Sequence, residues 1–122
     1  MYILDHEPFN NGHTLILPRQ HYLDVDEFDR ETSSAVMKAS ILISKALKLV
    51  YNPDGITIYQ SGGIFNDLTH YHMHVAPRYI GQNFSDFFTE NETEVPNIET
   101  NFEKVMLQIK DALKIVKNLA NN

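Results

Sequence analysis

Three histidines, His70, His72 and His74, stand at every second position of the stretch His70-Tyr71-His72-Met73-His74-Val75-Ala76-Pro77-Arg78. Half of the chain's six histidines fall in these five residues. An imidazole can ligate a metal, act as nucleophile, or donate to and accept from a reacting group. Alternate residues of a strand point to opposite faces, so the spacing predicts a β-strand with three imidazoles on one face. Tyr71, Met73 and Val75 then share the other face and enter a core. Three solvated histidines on an edge strand would show the same alternation.

Two chemistries compete. A His-x-His pair on a strand places Cα atoms roughly 6.7 Å apart, which suits two ligands of one zinc ion. The outer pair, His70 and His74, would stand roughly 13 Å apart by the same rise, too far for one ion. Further ligands would have to come from His13, Asp5 or Asp67, and no helical metal motif is present. A phosphorylated substrate fits the row better, because it is itself extended. In that reading His72, with a neighbour on each side, is the natural nucleophile.

The surrounding elements must hold this row. Met1 to Asp5 reads as the end of a strand, Pro8 to Gly12 as a turn, and His13 to Pro18 as an antiparallel second strand. Residues 19–30 form a polar loop with a short helical turn around Val25–Phe28. From Glu31 to Val50, residues Val36, Ala39, Ile43, Ala46, Leu47 and Val50 recur at helical spacing, with Met37, Ile41 and Leu42 widening the stripe. Asn52-Pro53-Asp54-Gly55 stops that helix. Ile56 to Gln60 is a third strand, Ser61 to Leu68 a loop, and Thr69 to Tyr79 the histidine strand. Residues 81–97 read as irregular. Residues 98–119, opened by Asn97, form a C-terminal helix with Phe102, Val105, Met106, Ile109, Leu113 and Val116 on one face. The order predicts an α+β fold, an antiparallel sheet with one long helix packed on it and a C-terminal helix.

The 122 residues make one domain, with residues 1–80 carrying the site and 98–119 the last helix. The absence of cysteine excludes a thiolate zinc site. A net charge of −6 argues against nucleic-acid binding. No apolar run is long enough to span a bilayer. A soluble cytoplasmic protein is the expectation.

Gly12-His13-Thr14-Leu15-Ile16-Leu17-Pro18-Arg19-Gln20-His21, followed by His70-Tyr71-His72-Met73-His74-Val75-Ala76, resembles the histidine triad family of nucleotide hydrolases and transferases. The family motif is His, apolar, His, apolar, His and two further apolar residues, and this sequence fits all seven positions with Tyr71 counted as apolar. The resemblance implies a metal-independent enzyme, with no cofactor required. It cleaves an adenosine phosphoramidate or a dinucleoside polyphosphate at the α-phosphate. His72 is the nucleophile that carries the nucleotidyl group. His70 and His74 position phosphate and handle protons, with His13 behind them. Asp5 binds the ribose hydroxyls, and Asn66 and Gln60 hold phosphate oxygens. A homodimer whose sheets join into one is also implied.

The resemblance further implies that a strand, a helix and part of a hairpin that usually precede this segment are missing from the sequence. Asp67 stands where the family often has Ser or Thr, and is expected to turn away and bond backbone. His6 either stacks on adenine or is solvated. His21 reads as a structural loop residue. Arg78 shares the histidines' parity but lies beyond a proline and is not placed among the phosphate ligands. Phe84, Phe87 and Phe88 read as core or interface. The alternatives are a nucleotide-binding module with little turnover and a metal-binding protein using His72 and His74.

Overall fold

A computed structural model describes residues 1–83, 85 and 98–120. Expectations for Phe84, Phe87 and Phe88, and for most of 81–97, lie outside the described residues. Four strands, β1 (Tyr2–Leu4), β2 (Thr14–Ile16), β3 (Gly55–Tyr59) and β4 (Met73–Arg78), form one antiparallel sheet in the order β1-β2-β4-β3. Two helices, α1 (Arg30–Tyr51) and α2 (Phe102–Ala120), complete an α+β fold. The predicted turn in the acidic loop is a 3-10 helix at Val25–Glu27.

Helix α1 begins where Asp29 accepts the Thr32 backbone N–H at 2.7 Å. It ends at Asn52, whose φ of 47° is left-handed. Val36, Ile43, Ala46 and Leu47 are buried as the helical spacing requires. They pack with Ile16, Tyr71, Met73 and Val75 from the sheet and Val105, Ile109, Ala112 and Leu113 from α2. Met37 and Ile41, expected to widen the buried stripe, lie exposed on α1.

Two boundaries differ from the sequence expectation. The last helix starts at Phe102 rather than Asn97, because Asn101 caps it by accepting the Lys104 backbone N–H at 3.2 Å. The histidine strand begins at Met73 rather than Thr69. Ahead of it the Tyr71 backbone N–H donates to the Tyr22 carbonyl at 2.7 Å, so His70 to His72 leave the ladder to follow the acidic loop.

Gly12 sets the turn between β1 and β2. Its φ is 85°, and a Cβ there would lie 2.5 Å from Tyr51 Cε2 and 2.8 Å from Leu47 Cδ2. The same turn is clamped to the end of β4. Buried Asn10 donates to the Pro77 carbonyl at 2.7 Å and exchanges two hydrogen bonds of 2.9 Å with the Gln82 amide. This clamp fixes the backbone around Phe9, which the site uses.

Candidate active site

Strand register builds the site. Leu15 and Tyr59 are the direct partners of His74 on its two sides, and Ile3 is the partner of Leu15. These four residues form one row on the sheet face away from the helices. His13 and Asp5 have the parity of that face. The Asp5 backbone N–H donates to the His13 carbonyl at 3.0 Å, extending the pairing of β1 with β2. The parity expectation holds for the other face, where Tyr71, Met73 and Val75 are all buried in the core.

The hydrogen bonds determine which nitrogen of each neutral imidazole carries its proton. Phe9 donates its backbone N–H to His13 Nδ1 at 3.0 Å. A backbone amide can only donate there, so neutral His13 carries its proton on Nε2. His13 Nε2 stands 2.9 Å from His74 Nδ1, which therefore accepts, and His74 keeps its proton on Nε2. His72 Nδ1 stands 3.2 Å from the His70 carbonyl. A carbonyl can only accept, so His72 carries its proton on Nδ1 and has its lone pair on Nε2. His70 Nε2 donates to the Pro18 carbonyl at 3.2 Å.

Packing holds the rings. Tyr59 stacks on His74 with centroids 4.1 Å apart and planes 5° from parallel. The rings of His72 and His74 meet edge to face at 4.8 Å. His13 and His72 are buried. Burial drives the His74 pKa down to about 4, helped by the charges His13 and His72 would carry and opposed by Asp5. Burial lowers His13 as well, against the pull of Asp5. Burial, and then the charges of Asp5 and Asp67, push the Tyr59 phenol up to about 12. Both rings of the relay are thus neutral near pH 7.

The expected site residues divide into two groups. Asp5, His13, His72 and His74 meet in one cluster, with Asp5 Oδ2 3.5 Å from His13 Nε2 and 3.8 Å from His74 Nδ1. His70 adjoins them through its carbonyl, while its ring turns to Pro18 and meets His21 edge to face at 5.0 Å. Gln60 lies elsewhere: its Oε1 accepts from the Tyr71 hydroxyl, on the core-facing side of the sheet. Asn66 spends its amide on backbone, accepting from Leu68 N–H at 2.9 Å and reaching the Leu23 carbonyl at 3.5 Å. The local backbone bond expected of Asp67 is thus made by Asn66, and Asp67 is exposed with its charge felt at Tyr59. Arg78 donates to Thr57 Oγ1 and to the Gln82 carbonyl. His6 is exposed.

Sequence reasoning missed Tyr59, the Phe9 amide and the Asn10–Gln82 clamp. Tyr59 would have been found from the register of β3 against β4. The Phe9 contribution is a backbone group and leaves no trace in residue type.

A four-stranded antiparallel sheet backed by two helices, with alternating histidines at the head of an inner strand, defines a histidine-triad class of protein. The chain belongs to the HIT family: the family model described as HIT domain matches residues 1–81. It is 30% identical over 105 residues to a HIT-like protein of Mycoplasma genitalium, covering 84% of this chain and 73% of that one. It is 31% identical over 78 residues to an adenylylsulfatase of Arabidopsis thaliana, covering 62% of this chain and 40% of that one. The fold superposes with a TM-score of 0.74 on a zinc-bound histidine triad family protein from Mycobacterium smegmatis, at 25% identity, covering 97% of this chain and 80% of that one. The chain thus spans only part of the length of each.

That zinc-bound relative makes the fit of a metal worth testing. Asp5, His13 and His74 offer donor atoms all within 4.8 Å of one another. Their chemistry does not fit. A metal-ligating imidazole donates its other N–H to an acceptor, whereas His13 Nδ1 faces a donor and its proton stands on the nitrogen a metal would need. His21 and His70 bring two imidazoles together, half of what a structural zinc site takes. His72 meets the orienting requirement, with its Nδ1–H on the His70 carbonyl, but its expected partner in a metal reading, His74, has its Nδ1 lone pair taken by His13.

Proposed function

We propose that this protein hydrolyses or transfers a nucleotidyl group through a covalent intermediate on His72, without a metal. The observation that carries the reading is the bond from His72 Nδ1 to the His70 carbonyl. It orients the ring and leaves the Nε2 lone pair as the nucleophile, the role of the orienting partner in a catalytic pair. Nε2 attacks the α-phosphorus and the bond to the leaving group breaks. The leaving group departs with the electron pair and takes a proton from solvent. Water then attacks the phosphorus of the nucleotidyl-histidine, releasing the nucleoside monophosphate and restoring His72.

The neighbours supply binding and charge stabilisation. His74 Nε2–H is aimed by His13 and held by the Tyr59 stack, and a fixed donor of this kind suits a non-bridging oxygen whose charge grows in the transition state. His70 acts through its carbonyl. Asp5 lies at the rim of the cluster, where it can meet ribose hydroxyls. Asn66 and Gln60 are not assigned to the phosphate, since Asn66 turns to the Leu68 and Leu23 backbone and Gln60 turns to Tyr71 on the opposite face of the sheet. The name of the plant relative supports an adenylyl group as the one transferred. The substrate class is an adenosine phosphoramidate or a dinucleoside polyphosphate, and a homodimer is the proposed assembly.

The purified protein, incubated with adenosine phosphoramidate, adenylyl sulfate and diadenosine tetraphosphate, should release AMP from at least one in the presence of EDTA. His72→Ala should lower that rate by about 1,000-fold or more, the scale of losing a nucleophile. Equal turnover by the variant overturns the mechanism. AMP binding by calorimetry with no turnover of any substrate would make the protein a binding module instead.

A further inference from the structure

His74 stands on β4, and the ring that aims it, His13, stands on the turn before β2. Pairing of β2 with β4 runs to Thr14 opposite Val75 and goes no further. His13 lies one residue past that point, and Pro77 of β4 has no N–H with which to extend the ladder. The turn is closed on itself. His13 gives its backbone N–H to the Asn10 carbonyl at 3.1 Å, and its ring takes the Phe9 N–H at 3.0 Å. The turn from Phe9 to His13 is thus braced as one piece, and the buried side chain of Asn10 ties that piece to the end of β4.

Backbone groups fix the orientation of both amides in the tie. The Pro77 carbonyl can only accept, so it faces Asn10 Nδ2, at 2.7 Å. The Tyr79 N–H can only donate, so it faces Gln82 Oε1, at 3.0 Å. Gln82 Oε1 takes Asn10 Nδ2 as its second donor, and Gln82 Nε2 donates to Asn10 Oδ1, both at 2.9 Å. Gln82 is itself held by its main chain. Its N–H donates to the Tyr79 carbonyl at 3.2 Å, and its carbonyl accepts from Arg78 at 2.8 Å. Gly81, with a φ of 97°, allows that tight turn. Gln82 lies just past the residues 1–81 that the family model matches.

We infer that Gln82 is a positioning residue for the nucleotidyl chemistry: through Asn10 it sets the spacing between His13 and His74. This rests on the proposed reading, in which the His74 Nε2–H supports a phosphoryl oxygen. The bond from His13 Nε2 to His74 Nδ1 is 2.9 Å long and joins a ring on the turn to a ring on β4. Such a bond weakens steeply as its geometry is lost. Without the Gln82 amide, Asn10 keeps its bond to the Pro77 carbonyl but swings about it, and His13 is no longer aimed. His74 then loses the partner that orients its N–H, while His72 keeps its own partner, the His70 carbonyl. The tautomer of His13 stays the same, since the Phe9 amide travels with the turn. The loss falls on turnover and spares nucleotide binding. Gln82 touches no substrate in this role.

Two variants test this. Gln82→Ala removes the tie. Gln82→Glu keeps its size but sets a carboxylate oxygen against Asn10 Oδ1, and it carries the test if Gln82→Ala fails to fold. Val36→Ala, in the core, is the control for lost stability with the tie intact. With 15N-histidine labels, two-bond proton–nitrogen spectra of the free proteins should show His13 as the Nε2–H tautomer throughout. The His74 Nδ1 signal should move toward that of an unbonded nitrogen in the Gln82 variants and stay in place in Val36→Ala. With adenosine phosphoramidate, kcat should fall about tenfold in the Gln82 variants, a partial loss of one charge-stabilising donor, with KM within about twofold of wild type. Val36→Ala should keep the wild-type kcat below its melting range. An Nδ1–H tautomer of His13 in wild type, or a His74 signal that the Gln82 variants leave unmoved, overturns the inference. So does a change confined to KM, or an equal loss of kcat in Val36→Ala. If the wild type turns over no substrate, the nucleotidyl reading fails, and the spectra by themselves decide whether Gln82 sets the His13–His74 spacing.

Discussion

A neutral imidazole has one lone pair and one N–H, and it matters to the chemistry which nitrogen holds which. In this protein backbone groups decide it at three of the four site histidines, and His13 decides it for the fourth, His74. The burial that keeps His13 and His74 neutral has a consequence for stability. Folded His74 takes a proton only near pH 4, whereas in the unfolded chain it does so near the ordinary histidine value of 6.5. Between those values the unfolded state binds more protons, so stability is full above about pH 6.5 and falls as the pH drops toward 4. His13 is lowered by burial too and acts in the same direction. Tm should therefore fall on acidification from pH 7 to 4.5. His74→Asn should remove about 2 kcal/mol of that pH dependence, a figure reduced for the ring's partial exposure. A parallel loss in wild type and variant, read by thermal melts across the range, would exclude His74 as its source.

Elements hold the residues at fixed register. The row Ile3–Leu15–His74–Tyr59 exists because β2 and β3 flank β4 with direct partners at His74. The turn at Gly12 carries His13 into that row, and it is packed against α1 so tightly that a methyl group has no room. Gly12→Ala should cost about 2 kcal/mol or more, from the left-handed φ together with the displacement of Tyr51 and Leu47. It should also lower AMP affinity, because His13 and the Phe9 amide move with the turn. Leu47→Ala, by contrast, empties core behind the turn, and about 2–5 kcal/mol should be lost. Urea unfolding of the two variants separates these effects: a Gly12→Ala protein as stable as wild type would mean that the turn has slack.

At the scale of the whole molecule, charge and apolar surface are both unevenly distributed. Helix α1 carries Arg30, Lys38, Lys45 and Lys48 against Glu31, and α2 carries four lysines against Glu103 and Asp111. Both helices are thus net positive, and the acidic excess behind the net charge of −6 lies outside them in the sequence. No helix among the described residues is long and apolar enough to cross a membrane. Strand β3 is one of the two outer strands of the described sheet, with Ile58 46% exposed, and Ile64 and Phe65 in the turn that follows are 92% and 75% exposed. An edge strand with apolar side chains around it invites pairing with another strand. A second copy of the chain continuing the sheet across β3 would cover them. Sedimentation at micromolar concentration should give a dimer, and Ile58→Lys should sediment as a monomer. A monomeric wild type, or a dimer indifferent to Ile58→Lys, would remove β3 from the interface.

Local periodicity and residue chemistry were enough to place both helices and four strands in order and to separate the faces around the triad. Alternation reports a strand because the side-chain period is two whatever packs against it. The triad spacing together with Gly12-His13 was enough to point to the family. Local pattern could not say where pairing starts, and so the strand was extended back to Thr69, although Tyr71 bonds to Tyr22 instead. Nor could it tell that Gln60 faces Tyr71, across the loop, or that Asn66 also reaches the Leu23 carbonyl, a group far back along the chain. The protonation pattern needs the folded backbone: the groups at His72 and His13 are near in sequence and are aimed by strand and turn, while those at His70 and His74 come from far along the chain. His72 has its lone pair on Nε2 because a carbonyl stands at its Nδ1, and His13 is a donor because an amide stands at its own. Residue type supplies an imidazole with two possible tautomers, and only the fold brings up the third group that selects one.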